Sequence, residues 1–373
     1  YIIPAPFDPR LITAVAKAVA KAAMDSGVAR HPIIDVEAYG NELSARLDPT
    51  AASLQAIFEE VRKHPQRIVF AEGEEEKSIR AAVSFYNAGY GIPILLGREE
   101  KVRETMEFLG LPLIDGLEIH NAKKSTSNKE YTKFLYKRLQ RKGALYRDCQ
   151  RMVNQERNLF AACMVALGDA DAMLTGLTRN YYVALEEINR VLDPLPNEHV
   201  FGLSLLLTRN RTLFVADTAV HELPKPEQLA DFAIQAASVA TRMGHEPRVA
   251  LLSFSNFGNP MLERSQLTRD AVLVLDERKV SFEYDGEMGV DVALNSELLA
   301  LYPFCRLSAP ANILIMPGLH SSQIATNLLH ELGGGTVIGP LLQGLSKPAQ
   351  IVPMGATVSD IVNMAALTAH EAM

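Results

Sequence analysis

The sequence predicts an α/β fold: two doubly wound α/β domains with a cleft between them. Two observations carry this expectation. Short, almost continuously apolar runs at 67–73, 92–97 and 172–176 each end in a glycine, and a helical stretch at 74–88 separates the first two. Apolar strands alternating with helices belong to parallel sheets covered on both faces. The second observation is size. A chain of 373 residues, 48% hydrophobic, accommodates two domains and an appendage at roughly 150 residues per domain.

Taken in order, residues 1–10 are proline-rich and read as an appendage. Residues 11–26 form an alanine-rich helix stopped by Gly27. Its apolar residues lie all round, which suits a helix buried against a partner, although an ordinary first helix explains them too. Residues 31–48 read as a linker with a short helix, and 51–63 as a helix. After the strand–helix–strand unit comes a basic stretch, 119–157, with eleven Lys or Arg against three acids. It reads first as a solvated helical face and second as an anion-collecting rim. Residues 151–167 form one helix leading into the strand at 172–176. From about 193 a second α/β block begins, with strands at 212–215, 249–254, 271–275 and 312–316 and helices at 226–243 and 321–332. Gly333 to Gly339 opens a last segment, and 358–373 closes the chain as a helix.

Composition excludes several function classes. Lys and Arg total 37 against 44 Asp and Glu, a net charge of −7. A dedicated nucleic-acid binder would carry a basic excess. Three scattered cysteines, Cys149, Cys163 and Cys305, give neither a disulfide framework nor a zinc motif, so a cytoplasmic setting is expected. No apolar run reaches the roughly 18 residues of a membrane span, and no signal peptide is evident. The chain begins at Tyr1 and reads as a fragment of something larger.

Ligands of open α/β sheets sit beyond the carboxyl ends of the strands. Four such ends carry small polar loops: Thr175-Gly176 to Thr178-Arg179-Asn180, Ser253 to Ser255-Asn256, Gly318 to His320-Ser321, and Gly333 to Gly335-Thr336. Small residues and helix N-termini suit a phosphate-bearing ligand. The GxGxxG and GxxxxGK[ST] fingerprints are missing, as are GxSxG and HExxH. The nine His are scattered, so no metal site is expected in this chain. His320, at a strand end, is a better ligand candidate than His221. Asp285 to Asp291 reads either as paired carboxylates or as a turn followed by a capped helix.

Residues 333–348 and 355–368 closely resemble the C-terminal signature of the phosphate acetyl/butyryltransferase family. Residues 168–176 and 285–294 are similar to two more of its landmarks. The resemblance spans about 50–373. It implies a phosphotransacetylase-like, isocitrate/isopropylmalate dehydrogenase-like architecture. One domain would comprise 50–192 with 336–373 and the other 193–335, with coenzyme A in the cleft. It also implies losses. The family's Ser and Arg before the last helix are Pro353 and Met354 here, an Arg after the Ser-Gly loop is Tyr182, and the following Asp is retained as Asp360. No catalytic set survives these changes. The implied acetyl-CoA wall comprises Thr175, Gly176, Thr178, Arg179, Asn180, Ser253, Ser255, Asn256, His320, Ser321, Gly335, Thr336, Met354 and Asp360, with Arg179 as the replacement anion anchor.

Residues 1–30, moreover, look like the last catalytic segment of a bacterial malic enzyme. That likeness implies a larger NADP-dependent enzyme, with NADP and a divalent metal (Mg or Mn) bound outside this chain. This portion would then bind acetyl-CoA as an allosteric inhibitor and assemble as a homodimer or higher homo-oligomer beside the catalytic domain. An active phosphate acetyltransferase and a pure scaffold remain the alternatives. Neither nucleic acid nor membrane is an expected partner.

Overall fold

Two sheets organise the chain in the computed structural model, which describes residues 9–29, 49–112, 114, 116–208, 211–333 and 336–373. Helices α1 (Pro9–Asp25) and α2 (Pro49–Lys63) come first. Then follow β1 (Gln66–Phe70), α3 (Glu76–Asn87), β2 (Gly91–Leu96), α4 (Glu99–Phe108) and β3 (Glu118–His120). Helices α5 (Asn128–Leu139), α6 (Tyr146–Gln155) and α7 (Arg157–Leu167) lead to β4 (Ala172–Thr175) and α8 (Tyr181–Asn189). The second sheet draws on β5 (Phe201–Leu207), β6 (Thr212–Ala216), α9 (Pro226–Arg242), β7 (Arg248–Leu252), α10 (Glu263–Arg278) and β8 (Glu283–Met288). It is completed by α11 (Val290–Leu294), α12 (Ser296–Leu299), β9 (Ile313–Ile315), α13 (Leu319–Gly333) and β10 (Thr336–Gln343), after which β11 (Ala349–Ile351) and α14 (Val358–Glu371) close the chain.

The first sheet runs β11-β4-β1-β2-β3 and is parallel throughout. Ile68, Val69 and Phe70 of β1 are buried because helices cover both faces, which explains the continuous apolar run. Strand β1 has β2 on one side and β4 on the other. The chain order therefore reverses at β1, which is where such sheets open a crevice. The second sheet runs β10-β5-β6-β9-β7-β8. It is mixed, because β5 pairs antiparallel with both β10 and β6.

Several sequence expectations shift. Residues 271–275 lie inside α10, where Ala271, Val272 and Leu275 are buried. That one-sided burial is the helical period, so the run is no strand. The expected helix 151–167 breaks at Glu156, whose backbone is extended. Asp285 and Gly286 belong to strand β8 rather than to a turn. Strand β10 pairs with β5, so 336–343 belongs to the second sheet, and the return to the first sheet comes after Gln343 rather than at 336. The expected linker at 31–48 and the tail at 1–8 lie outside the described residues. On α1, Val15 and Val19 are exposed.

Two segments cross between the sheets, and they lie side by side. Leu195 N–H donates to the Gly344 carbonyl (2.8 Å) and Ser346 N–H to that of Asp193 (2.9 Å), flanking a Pro194–Leu345 bridge. Arg138 holds Asp193 with two hydrogen bonds of 2.8 and 2.7 Å. No helix among the described residues is long and apolar enough to cross a membrane.

Candidate functional site

A cavity of about 610 Å³ opens between the two sheets. Its walls come from the start of α8 (Asn180, Tyr181, Tyr182), the 218–219 turn after β6, one face of α13, strand β10, the 352–356 loop and the start of α14. Helix α13 contributes Gln323, Asn327 and His330, spaced four and three residues apart, so they share a face. Four carboxamides ring the space: Asn180, Gln323, Asn327 and Asn363. Neither Lys nor Arg is among the described lining residues, and the titratable ones are Tyr181, Tyr182, His330 and Asp360. The Tyr181 hydroxyl is buried and has no partner among the described residues, and burial pushes its phenol far up, so it stays protonated.

The loops expected to cradle phosphate are already filled from inside. Beyond β1, the Glu72 carboxylate accepts N–H groups from Gly176 (2.9 Å), Leu177 (2.8 Å) and Thr178 (2.7 Å), and the Thr178 hydroxyl (2.7 Å). Successive main-chain N–H groups of this kind make an anion-binding concavity. Here the anion is the protein's own side chain, seated at the point where the chain order reverses. A second carboxylate does the same beyond β6. Asp217 accepts N–H groups from Gly202 (2.8 Å), Ala219 (2.8 Å) and His221 (2.7 Å), and bonds His221 Nδ1 at 2.9 Å. Only glycine fits at 176. Its φ is +123°, and a Cβ there would meet the Val352 carbonyl oxygen at 2.0 Å.

Of the candidate wall, the cavity gathers Asn180, Thr336 and Asp360, together with the altered positions Tyr182 and Pro353. The other candidates are placed elsewhere. Thr175 is buried, its hydroxyl donating to Asn158 (2.6 Å), while Gly176 and Thr178 belong to the Glu72 clamp. Arg179, the expected anion anchor, is not among the cavity's lining residues, and its guanidinium pairs with buried Glu187. Burial raises the Glu187 carboxyl, and Arg179 opposes that shift. Ser253, Ser255 and Asn256 follow β7, two strands from β6 and so about 10 Å off. There Ser255 bonds Glu287 (3.1 Å) and Asn256 accepts the Gly289 N–H (2.7 Å). His320 is exposed at the start of α13, and Ser321 bonds the Gly318 carbonyl (2.7 Å). Met354 is 59% exposed and points no side chain into the cavity. Gly335 lies outside the described residues.

Asp360, although in the wall, is a helix cap. It accepts the Thr357 N–H (2.9 Å) and hydroxyl (2.8 Å), closing a capping box on α14. No thiol offers a nucleophile. Burial pushes Cys163 up to about 12 and Cys305 up to about 11, and raises Cys149 as well. Among the described residues no group of three or more His, Cys, Asp or Glu is placed to hold a metal. The residues missed in the sequence, chiefly Tyr181, Ser204, Thr218, Gln323, Asn327 and His330, come from both lobes. Only the Gln323–Asn327–His330 spacing left a trace in the sequence.

Known proteins share this arrangement. The profile of the phosphate acetyl/butaryl transferase family matches residues 52–369. A phosphotransacetylase from Streptococcus pyogenes superposes with a TM-score of 0.79 at 28% identity, over 85% of this chain and 98% of that one. A phosphate acetyltransferase from Clostridium acetobutylicum is 29% identical over 86% of this chain and 98% of its own length. An NADP-dependent malic enzyme from Rhizobium meliloti is 58% identical over the whole chain, which spans only 49% of that protein. The chain thus covers about half the length of the malic enzymes it matches. With two α/β lobes around one cleft and the profile matched across both, the chain belongs to the phosphate acetyl/butaryl transferase family.

Proposed function

We propose that the cleft is a regulatory site for an acyl-CoA, acetyl-CoA foremost, and that this chain performs no acyl transfer of its own. The carrying observation is the wall: four carboxamides, the hydroxyl-bearing Ser204, Thr218, Thr326 and Thr336, apolar surface from Leu319, Val337, Ile338, Pro340, Val352 and Met364, and no Lys or Arg among its described residues. Transfer of an acetyl group to phosphate develops charge on oxyanions. Removing one preorganised donor from such a site costs about 10²–10³ in rate. Proline and methionine at 353 and 354 provide neither the hydroxyl nor the guanidinium that the family resemblance implies there. Asp360 is committed to Thr357. Carboxamides and apolar surface, by contrast, suit the amide-bearing pantetheine arm of an acyl-CoA.

The likeness to malic enzymes supports a role inside a longer NADP-dependent malic enzyme that oxidatively decarboxylates malate to pyruvate. NADP and Mg or Mn would then be held by residues outside this chain, consistent with the missing dinucleotide fingerprint. Acetyl-CoA would inhibit by binding an inactive arrangement better than an active one. A homo-oligomer formed through the second lobe, in a cytoplasmic setting, completes the reading. The exposed Ile324, Leu328 and Leu332 on α13 support that assembly.

The test is paired. Thiolysis of acetyl phosphate by coenzyme A is expected to show no turnover with the 373-residue chain, whereas calorimetry is expected to register acetyl-CoA binding. Robust turnover would make the cleft a working transferase. Absence of both signals would leave a scaffold.

A further inference from the structure

Both lobes also line a second, smaller cavity, of about 310 Å³, where helices α2, α9 and α14 meet the end of β10. Strand β10 gives Thr336 to Pro340 to the cleft, and Leu341 and Gln343 to this second cavity. Helix α14 does likewise, with Asp360, Asn363 and Met364 at the cleft and Leu367, His370 and Glu371 here. The floor is apolar: Ile57, Val239, Met243, Leu341 and Leu367 are all buried. The mouth carries charges of both signs. Glu371 accepts the side-chain amides of Gln343 (2.7 Å) and Gln350 (2.8 Å), and Glu60 stands 3.7 Å from His370 Nε2. Arg242, in the last turn of α9, is exposed and makes no hydrogen bond or salt bridge among the described residues. It acts on Glu371 through space. Hollows of roughly 300 Å³ and more, apolar with a few fixed polar groups, are where small ligands bind.

We propose that this cavity binds a small zwitterion with an aliphatic body, the chemistry of a free aliphatic α-amino acid. Its carboxylate meets the planar fork of the Arg242 guanidinium. Its ammonium meets the carboxylates of Glu60 and Glu371, and its side chain covers the apolar floor. Both charges are needed. A lone carboxylate on Arg242 would leave Glu60 and Glu371 facing it uncompensated, and a lone ammonium would face Arg242. A neutral hydrocarbon would strip water from charged groups and return nothing to them. The inference does not depend on the acyl-CoA reading, because none of these side chains lines the cleft. The bound molecule touches α2 and α14 on one side and α9 and β10 on the other, so it bridges the lobes at the far end of the two elements that wall the cleft.

The test titrates the 373-residue chain with three probes of one shape, followed by ligand-detected NMR: free leucine, isocaproate, which lacks the ammonium, and isoamylamine, which lacks the carboxylate. Leucine is expected to saturate with a Kd on the order of 1 mM, as suits so few atoms. Each analogue should bind about five-fold more weakly, as for one lost solvent-accessible ion pair. Arg242→Gln is expected to weaken leucine and isocaproate about five-fold without weakening isoamylamine. Glu60→Gln is expected to weaken leucine and isoamylamine and to spare isocaproate. No saturation by leucine at tens of millimolar overturns the proposal. So does leucine binding that Arg242→Gln leaves unchanged, or an isocaproate that binds as tightly as leucine. Both substituted side chains are exposed, so nearly equal melting midpoints are expected, and the probe series on the unaltered chain decides the matter even if a variant fails to fold.

Discussion

Glu72 shows how one side chain can set a loop. Its carboxylate satisfies three main-chain donors 104 to 106 residues away. Leaving buried N–H groups unpaired costs about 1–3 kcal/mol each. Glu72→Ala is therefore expected to lose about 3 kcal/mol in denaturant unfolding. It should also speed hydrogen exchange at Gly176, Leu177 and Thr178, and added formate should restore part of both. Unchanged exchange at those amides would contradict the clamp. Glu74, two residues on, answers to pH. Arg98, then Lys101 and Arg157, hold its carboxyl down to about 2 despite opposing burial. A carboxylate depressed in the fold stabilises above its unfolded value and loses that contribution as pH falls toward the folded one. Its contribution, about 2 kcal/mol once the exposed cations are screened, should disappear between about pH 5 and pH 2. Glu74→Gln should flatten that limb of the stability curve. At this scale the sequence was partly legible. Asn180, Tyr182, Pro353 and Asp360 were marked by motif and position, whereas the pairing of Glu72 with a loop a hundred residues away leaves no local pattern to read.

At the scale of elements, legibility followed periodicity. Strand β1 was readable because it is apolar on both faces. Strand β8 was not, because buried Asp285 and Glu287 break its pattern. The run Ala-Val-Leu-Val-Leu at 271–275 imitated a strand until its helical flanks were seen. Helix α13 carries two stripes: Gln323, Asn327 and His330 toward the cavity, and Ile324, Leu328 and Leu332 outward at 60%, 53% and 82% exposure. Isolated exposed leucines are ordinary, but a contiguous stripe marks an interaction face. Ile324→Glu with Leu328→Glu is expected to lower the solution mass of the chain in sedimentation without lowering its melting temperature by more than a few degrees. Loss of folding instead would mean that the stripe is packed within the protomer.

At the scale of the whole molecule, both lobes were legible as α/β blocks, while the return crossing was displaced. An antiparallel strand at the edge of a sheet, such as β10, pairs by register with β5, and no local signal says which sheet it will join. The two crossings, 193–200 and 344–348, meet in a bonded pair. The pair does not stand alone, because one apolar core runs unbroken from Phe58, Phe70 and Phe85 of the first lobe to Phe201, Phe214 and Phe232 of the second. Such a seam is a weld rather than a joint: a densely packed interior passes strain on instead of absorbing it. Whatever fills the cleft therefore presses on both lobes at once.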